Sequence, residues 1–152
     1  MSSERRYMGI DPGKSGGWAV LDQDGSVLKV GKNSSVKELR EQLDSRNMRI
    51  MLEKVWSSPQ MGVVGAFSFG ESFGFLQGLL FGRVYEPHIV TPQCWQRAMG
   101  LIQKDRKQGE GDTAKKNANK AAAQKLFPNQ EITHAWADAL LIAEYCRRVY
   151  SA

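Results

Sequence analysis

Asp138 lies in Ala137-Asp138-Ala139-Leu140-Leu141-Ile142-Ala143, a helical run that is otherwise wholly apolar. A carboxylate on a core-facing element is costly unless a positive charge accompanies it, so any fold of this chain must supply one. The same demand arises twice more. Asp11 closes the extended run Tyr7–Ile10, just before Pro12-Gly13, and Glu53 follows Ile50-Met51-Leu52 in a second apolar strand. The compensating charge can come from Arg or Lys, or from a divalent cation. Oxygen ligands in threes and fours select hard ions such as Mg²⁺ or Mn²⁺. Each acid also has an ordinary alternative. Asp11 can be a turn residue bonded to nearby backbone, Glu53 the outward residue of a half-exposed strand, and Asp138 a solvent-facing position on its helix.

The 152 residues, 41% hydrophobic and 24% charged, suffice for one domain over 1–152 with one sizeable core, and exclude a disordered chain. No stretch of about 18 uncharged apolar residues is present, which excludes a spanning helix and a membrane partner. Met1–Tyr7 lacks the apolar core of a signal peptide. Cys94 and Cys146 are too few for a disulfide framework or a four-ligand zinc site. A reducing, intracellular, cytoplasmic setting is expected. With 21 Lys+Arg against 16 Asp+Glu the net charge is +5, a mild sign of a polyanionic partner.

The order of elements predicts an α/β fold. Tyr7–Ile10, Trp18–Leu21 and Val27–Val30 read as strands, the last two joined by the hairpin turn Asp22-Gln23-Asp24-Gly25. Ser34 or Ser35 caps a helix through Leu43, with Val36, Leu39 and Leu43 on one face. Arg49–Val55 is a buried strand, Phe67–Phe81 a Gly-rich helix and His88–Val90 a short strand. Thr91-Pro92 opens a further helix, Gln103–Asp112 is a loop, and Thr113 caps an Ala- and Lys-rich helix ending at Phe127-Pro128. A last helix runs from about Thr133 to Val149. The expected architecture is a five-stranded mixed sheet, with an antiparallel hairpin at one side and flanking helices.

Several of these segments resemble the motifs of the RuvC family of Holliday-junction resolvases, within the ribonuclease H-like superfamily. Gly9-Ile10-Asp11-Pro12-Gly13 with Ser15-Gly16 resembles the first acidic motif, Leu52-Glu53-Lys54-Val55 the second, and Ala137 to Tyr145 the last. That last motif is closest to phage and plastid members. Val90-Thr91-Pro92 with Trp95, and Lys125-Leu126-Phe127-Pro128, fit between them. The resemblance implies a ribonuclease H-like fold in which Asp11, Glu53 and Asp138 gather around two divalent ions, Mg²⁺ or Mn²⁺. It implies a metal-dependent endodeoxyribonuclease that resolves four-way or branched DNA by paired nicks. Many relatives carry a fourth acid one turn before the final Asp, where this chain has His134 and Ala135. Positions four apart share a helix face, so His134 can join Asp138 as a ligand, or act on the attacking water. A structural histidine at the helix start is the alternative.

Gly70, Gly74, Gly78 and Gly82 recur every fourth residue, forming one smooth ridge flanked by Phe67, Phe69, Phe73, Phe75 and Phe81. Glycine in a helix interior costs about 1 kcal/mol relative to alanine, so a row of them implies a close approach. The approaching surface is either the chain's own sheet or a partner subunit. The resemblance implies the partner, in a homodimer whose interface holds Gly70, Phe73, Gly74 and Gly78. The resemblance implies that Trp56, three residues beyond Glu53, stacks on bases at the crossover; the alternative is an ordinary tryptophan. Lys104, Arg106, Lys107, Lys115, Lys116 and Lys120 concentrate positive charge beside a loop and a helix start. Among them Lys115 and Lys116 are the foremost candidates for backbone contact, joined by Lys14 and Lys54 beside the acids. Two competing functions remain: a junction-binding protein that does not cut, and a ribonuclease H-like enzyme acting on RNA.

Overall fold

The computed structural model describes residues 4–44, 47–83, 85–102 and 112–151. Three strands, Arg6–Ile10 (β1), Gly17–Leu21 (β2) and Val27–Lys32 (β3), form an antiparallel meander. At the hairpin between β2 and β3, the Asp22 carboxylate accepts hydrogen bonds from the Asp24 and Ser26 amides, both at 2.9 Å. Met48–Glu53 (β4) then pairs in parallel with β1, and His88–Val90 (β5) in parallel with β4. The sheet order is β3-β2-β1-β4-β5, the five-stranded mixed sheet expected from the sequence. β4 ends at Glu53, two residues short of the expected Val55, because its last pairing is Glu53 with Val90.

Period-two alternation sends side chains to two cores. Tyr7, Ala19, Leu21 and Met51 face one side, where they meet the helices Pro92–Ala98 (α3), Asp112–Leu126 (α4) and His134–Ser151 (α5). Met8, Ile10, Trp18, Val20, Ile50 and Leu52 face the other, against Val36–Gln42 (α1) and Val63–Gly82 (α2). α5 is the central helix of the first layer. Leu140, Leu141 and Ile142 are fully buried on it, each contributing roughly 1.5–3 kcal/mol by removal from water. It can lie this close because β1 carries Gly9 where the two elements meet. A Cβ at that position would collide with the Ala139 carbonyl and the Ala143 amide. The close approach fixes the part of α5 bearing Asp138 over the strand that ends beside Asp11.

One helix start agrees with the sequence reading and one differs. The Thr91 hydroxyl caps α3, accepting from the Cys94 amide at 3.3 Å, whereas Ser35 sits at the start of α1 with no side-chain capping bond. Cys94 and Cys146 are both free thiols.

A larger correction concerns α2. Its 20 residues are long and apolar enough, by length and composition, to cross a membrane, and only 11% of its most apolar window is buried. The sequence criterion excluded such a helix. One charge, Glu71, together with scattered Ser and Gln, breaks the uncharged run but leaves the average apolar. Leu76 and Leu80 anchor α2 in the second core, with Phe73 and Leu79 packed beside them.

Candidate active site

β1, β4 and α5 each deliver one acid to the same end of the sheet. Asp11 follows the last residue of β1, and Glu53 is the last residue of β4. β1 and β4 run parallel with Ile10 opposite Leu52, so the two acids leave neighbouring strands side by side. Asp138 lies in the first turns of α5, above them. The three are only partly exposed, and each carboxyl is held above its ordinary pKa, chiefly by burial. For Asp11 the shift is large, and the charges of Glu53 and Asp138 add to it. Glu53 is pushed up to about 7 by burial, with a further push from Asp138, against the lowering influence of the Trp95 hydrogen bond and Lys115.

A carboxylate elsewhere on α5 shows what compensation looks like. Glu144 is buried, yet Arg147 and Arg148 donate to it at 2.8 Å and hold its pKa below the ordinary value despite desolvation. Among the described residues no such guanidinium or ammonium pairs with Asp11, Glu53 or Asp138. Glu53 and Asp138 each accept instead from a neutral donor. Trp95 Nε1 donates to Glu53 Oε2 at 2.6 Å, and Asn119 Nδ2 donates to Asp138 Oδ1 at 2.9 Å. Trp95 is fully buried on α3 and Asn119 nearly so on α4. Each donor fixes one oxygen of its acid without neutralising the charge.

The donor set is all oxygen, negative and mutually repelling, which in kind fits a hard divalent cation. Among the described residues, no three His, Cys, Asp or Glu side chains stand close enough together to form a ready-made metal centre. Carboxylates brought near one another at partial burial raise one another's pKa. The sequence missed Asn119 as a supporting residue. An amide in an Ala- and Lys-rich helix reads as surface until α4 is laid on α5.

The remaining candidates divide. His134 is the exposed first residue of α5, near enough for its charge to favour ionised Asp138. Lys115 and Lys116 are exposed in the first turns of α4. Lys115 favours the ionised forms of Glu53 and Asp138, and Lys116 those of Asp11 and Asp138, so both face the acids. Lys120 follows one turn later and is half-buried. Lys14 is exposed in the turn after Asp11, lining a depression with Ser68, Glu71 and Phe75 of α2. Lys54 is exposed next to Glu53, its amide donating to the Val90 carbonyl at 2.7 Å. Trp56, 47% exposed, lies just beyond β4. Lys107, with Lys104 and Arg106, lies outside the described residues.

On α2, a Cβ added at Gly70, Gly74, Gly78 or Gly82 would meet nothing within 4 Å. The glycine ridge therefore turns away from the sheet. Phe67, Phe75 and Phe81 are also exposed, while Phe73, expected with the ridge, leans on the protein's own second core.

No protein-family profile and no curated protein matches the sequence. Solved structures do match the fold. The structure described as Thermus thermophilus RuvC in complex with Holliday junction substrate aligns with a TM-score of 0.63 at 17% identity, covering 97% of this chain and 98% of that one. A second Thermus thermophilus RuvC structure aligns at 0.59 and 18% identity, covering 91% and 90%. The fold is RuvC-like, of the ribonuclease H type.

Proposed function

We propose that this chain is a metal-dependent, structure-selective DNA endonuclease that resolves four-way junctions by paired symmetric nicks. The observation that carries the reading is the convergence of Asp11, Glu53 and Asp138 at one sheet end, partly buried and with no Lys or Arg paired to them among the described residues. That the scaffold pairs Glu144 with two arginines but, among the described residues, leaves these three unpaired supports a cation-binding site over a structural ion-pair network. Asp11, Glu53 and Asp138 would hold two ions, Mg²⁺ or Mn²⁺, with His134 a further ligand or a base for water. Divalent ions bound there supply Lewis-acid polarisation of a phosphodiester and lower the pKa of water. The protein's own contribution is positional. Trp95 and Asn119 lock one oxygen of Glu53 and of Asp138, and Lys115 and Lys116 offer positive charge to the DNA backbone. The RuvC-like fold and the junction present in the structural neighbour support branched DNA as the substrate. The form of the Ala137–Tyr145 segment supports a phage or plastid-type resolvase.

The deciding experiment incubates the protein with a synthetic immobile four-way junction, a linear duplex and an RNA–DNA hybrid, with Mg²⁺, with Mn²⁺ and with chelator. Nicks in two opposing strands of the junction alone, only with metal, are expected. Tight junction binding with no nicks in either metal leaves a non-cutting binder, and preferential cutting of the hybrid leaves a ribonuclease. Lys115→Ala and Lys116→Ala should each reduce the slope of log binding constant against log salt by roughly one, the counterion released per phosphate contact. An unchanged slope would remove both lysines from the DNA interface.

A two-fold junction requires two sites, and the ridge of α2 suits a second copy. Its glycines lack a covering surface in the described structure, and exposed Phe67, Phe75 and Phe81 flank them. Sedimentation at micromolar concentration should give twice the 17.0 kDa chain mass. Gly74→Arg should return the monomer mass with helix content intact. If the ridge instead faces lipid, the wild type will float with vesicles and G74R will not.

A further inference from the structure

Asp11 stands in the tight connection between β1 and β2, and its backbone is gripped at both ends. Its amide donates to the Gly17 carbonyl at 2.9 Å. Its carbonyl accepts from the Asn33 side chain, whose Nδ2 also donates to the Gly13 carbonyl, at 2.7 and 3.0 Å. Asn33 lies just after β3, remote from Asp11 in sequence, and its own amide donates to the Gly16 carbonyl at 3.3 Å. The side-chain amide has only one workable orientation, since both facing atoms are carbonyl oxygens and require an N–H. Its Oδ1 is buried without a partner among the described residues. Leaving an acceptor unmet costs roughly 1–3 kcal/mol, a sacrifice offset by the two donated bonds.

The chain makes room for this clasp. A Cβ at Gly16 would collide with the Asp11 carbonyl and stand 2.9 Å from Asn33 Nδ2. Pro12 restricts Asp11 further, because a residue before proline is held in extended conformations. With both flanking peptide groups fixed, the Cα–Cβ direction of Asp11 is fixed as well, and only its side-chain torsions remain free.

We infer that Asn33 is a positioning residue for Asp11, a neutral clasp that aims the carboxylate by holding the Asp11–Gly16 turn. This rests on the nuclease reading above for its consequence in catalysis, but not for the clasp itself. Asn33→Ala removes both donated bonds. Asn33→Asp keeps the volume but turns an acceptor toward two carbonyls, so it breaks the clasp even if the smaller side chain were to disturb packing. Amide hydrogen exchange should accelerate at least tenfold in both variants across residues 13–16, with β1 and α5 protected as in the wild type. On the junction, N33A should lower kcat about 10- to 100-fold while the binding constant stays within twofold. Unchanged exchange in the turn overturns the inference, as does a loss that falls on binding with kcat intact. If the wild type itself nicks nothing, the nuclease reading fails, and the exchange arm alone decides whether Asn33 holds the turn.

Discussion

Asp11→Asn is expected to lower junction nicking by about 10²- to 10³-fold while junction binding is kept or tightened. The asparagine is nearly the same size and still fits the clasped turn, so the fold should survive. What disappears is the negative charge available to a carboxyl that burial and the neighbouring acids Glu53 and Asp138 hold well above its ordinary pKa. Loss of one preorganised electrostatic group in an active site costs roughly 3–4 kcal/mol of barrier. Binding moves the other way, because a carboxylate facing a phosphate repels it and an amide does not. Gel-shift titration in Ca²⁺ or chelator, beside single-turnover nicking in Mg²⁺, separates the two effects. A variant that cuts at the wild-type rate removes Asp11 from the chemistry, and one that neither cuts nor binds marks it as structural.

The second large effect is on stability, and it runs opposite to the behaviour of an ordinary salt-bridged acid. Glu53 titrates near 4.5 when unfolded and is pushed to about 7 in the folded chain by burial, with Asp138 adding to it. The folded protein therefore holds this proton more tightly than the unfolded one. Raising the pH strips the proton from the unfolded chain first, so stability falls from about pH 4.5 to about pH 7 and levels off above. At about 1.4 kcal/mol per pH unit the loss for Glu53 is on the order of 3 kcal/mol, and Asp11 and Asp138 act in the same direction. Urea denaturation of the metal-free protein should show this decline. Glu53→Gln should reduce it and raise stability at pH 8, and millimolar Mg²⁺ should restore much of it in the wild type only. A flat profile, or one that E53Q leaves unaltered, would mean that the acids do not oppose one another as the structure places them.

Both results depend on a scaffold that, among the described residues, leaves a cluster of acids without a paired counter-charge, and the contrast with Glu144 makes that a property of position rather than composition. Glu144 and Asp138 lie on the same helix. One meets Arg147 and Arg148 a turn later; the other meets Asn119 and the two acids from the strands. Basic residues are plentiful in the chain, yet near the site Lys115 and Lys116 stand exposed rather than paired with the acids.

From the sequence alone the acids and the order of elements could be read. Asp11, Glu53 and Asp138 stood out because a charge within an apolar run violates the local pattern, and the succession of apolar runs and turns already indicated an α/β fold; which strand residues face which helices did not emerge until the two cores were packed. Local chemistry also sufficed for the Asp22–Gly25 hairpin and the Thr91 cap. Contacts between distant segments could not be read this way. Asn33, Asn119 and Trp95 are ordinary residues in their own stretches, and become supports only when β3, α4 and α3 are brought against the site. The direction of the glycine ridge was likewise undecided. Spacing makes a ridge, but whether it faces the sheet depends on which side of α2 Leu76 and Leu80 anchor, and burial against Met8, Ile10 and Leu52 decided that it faces outward. Pattern along a chain reports what each residue must avoid; only the packed structure reports what it meets.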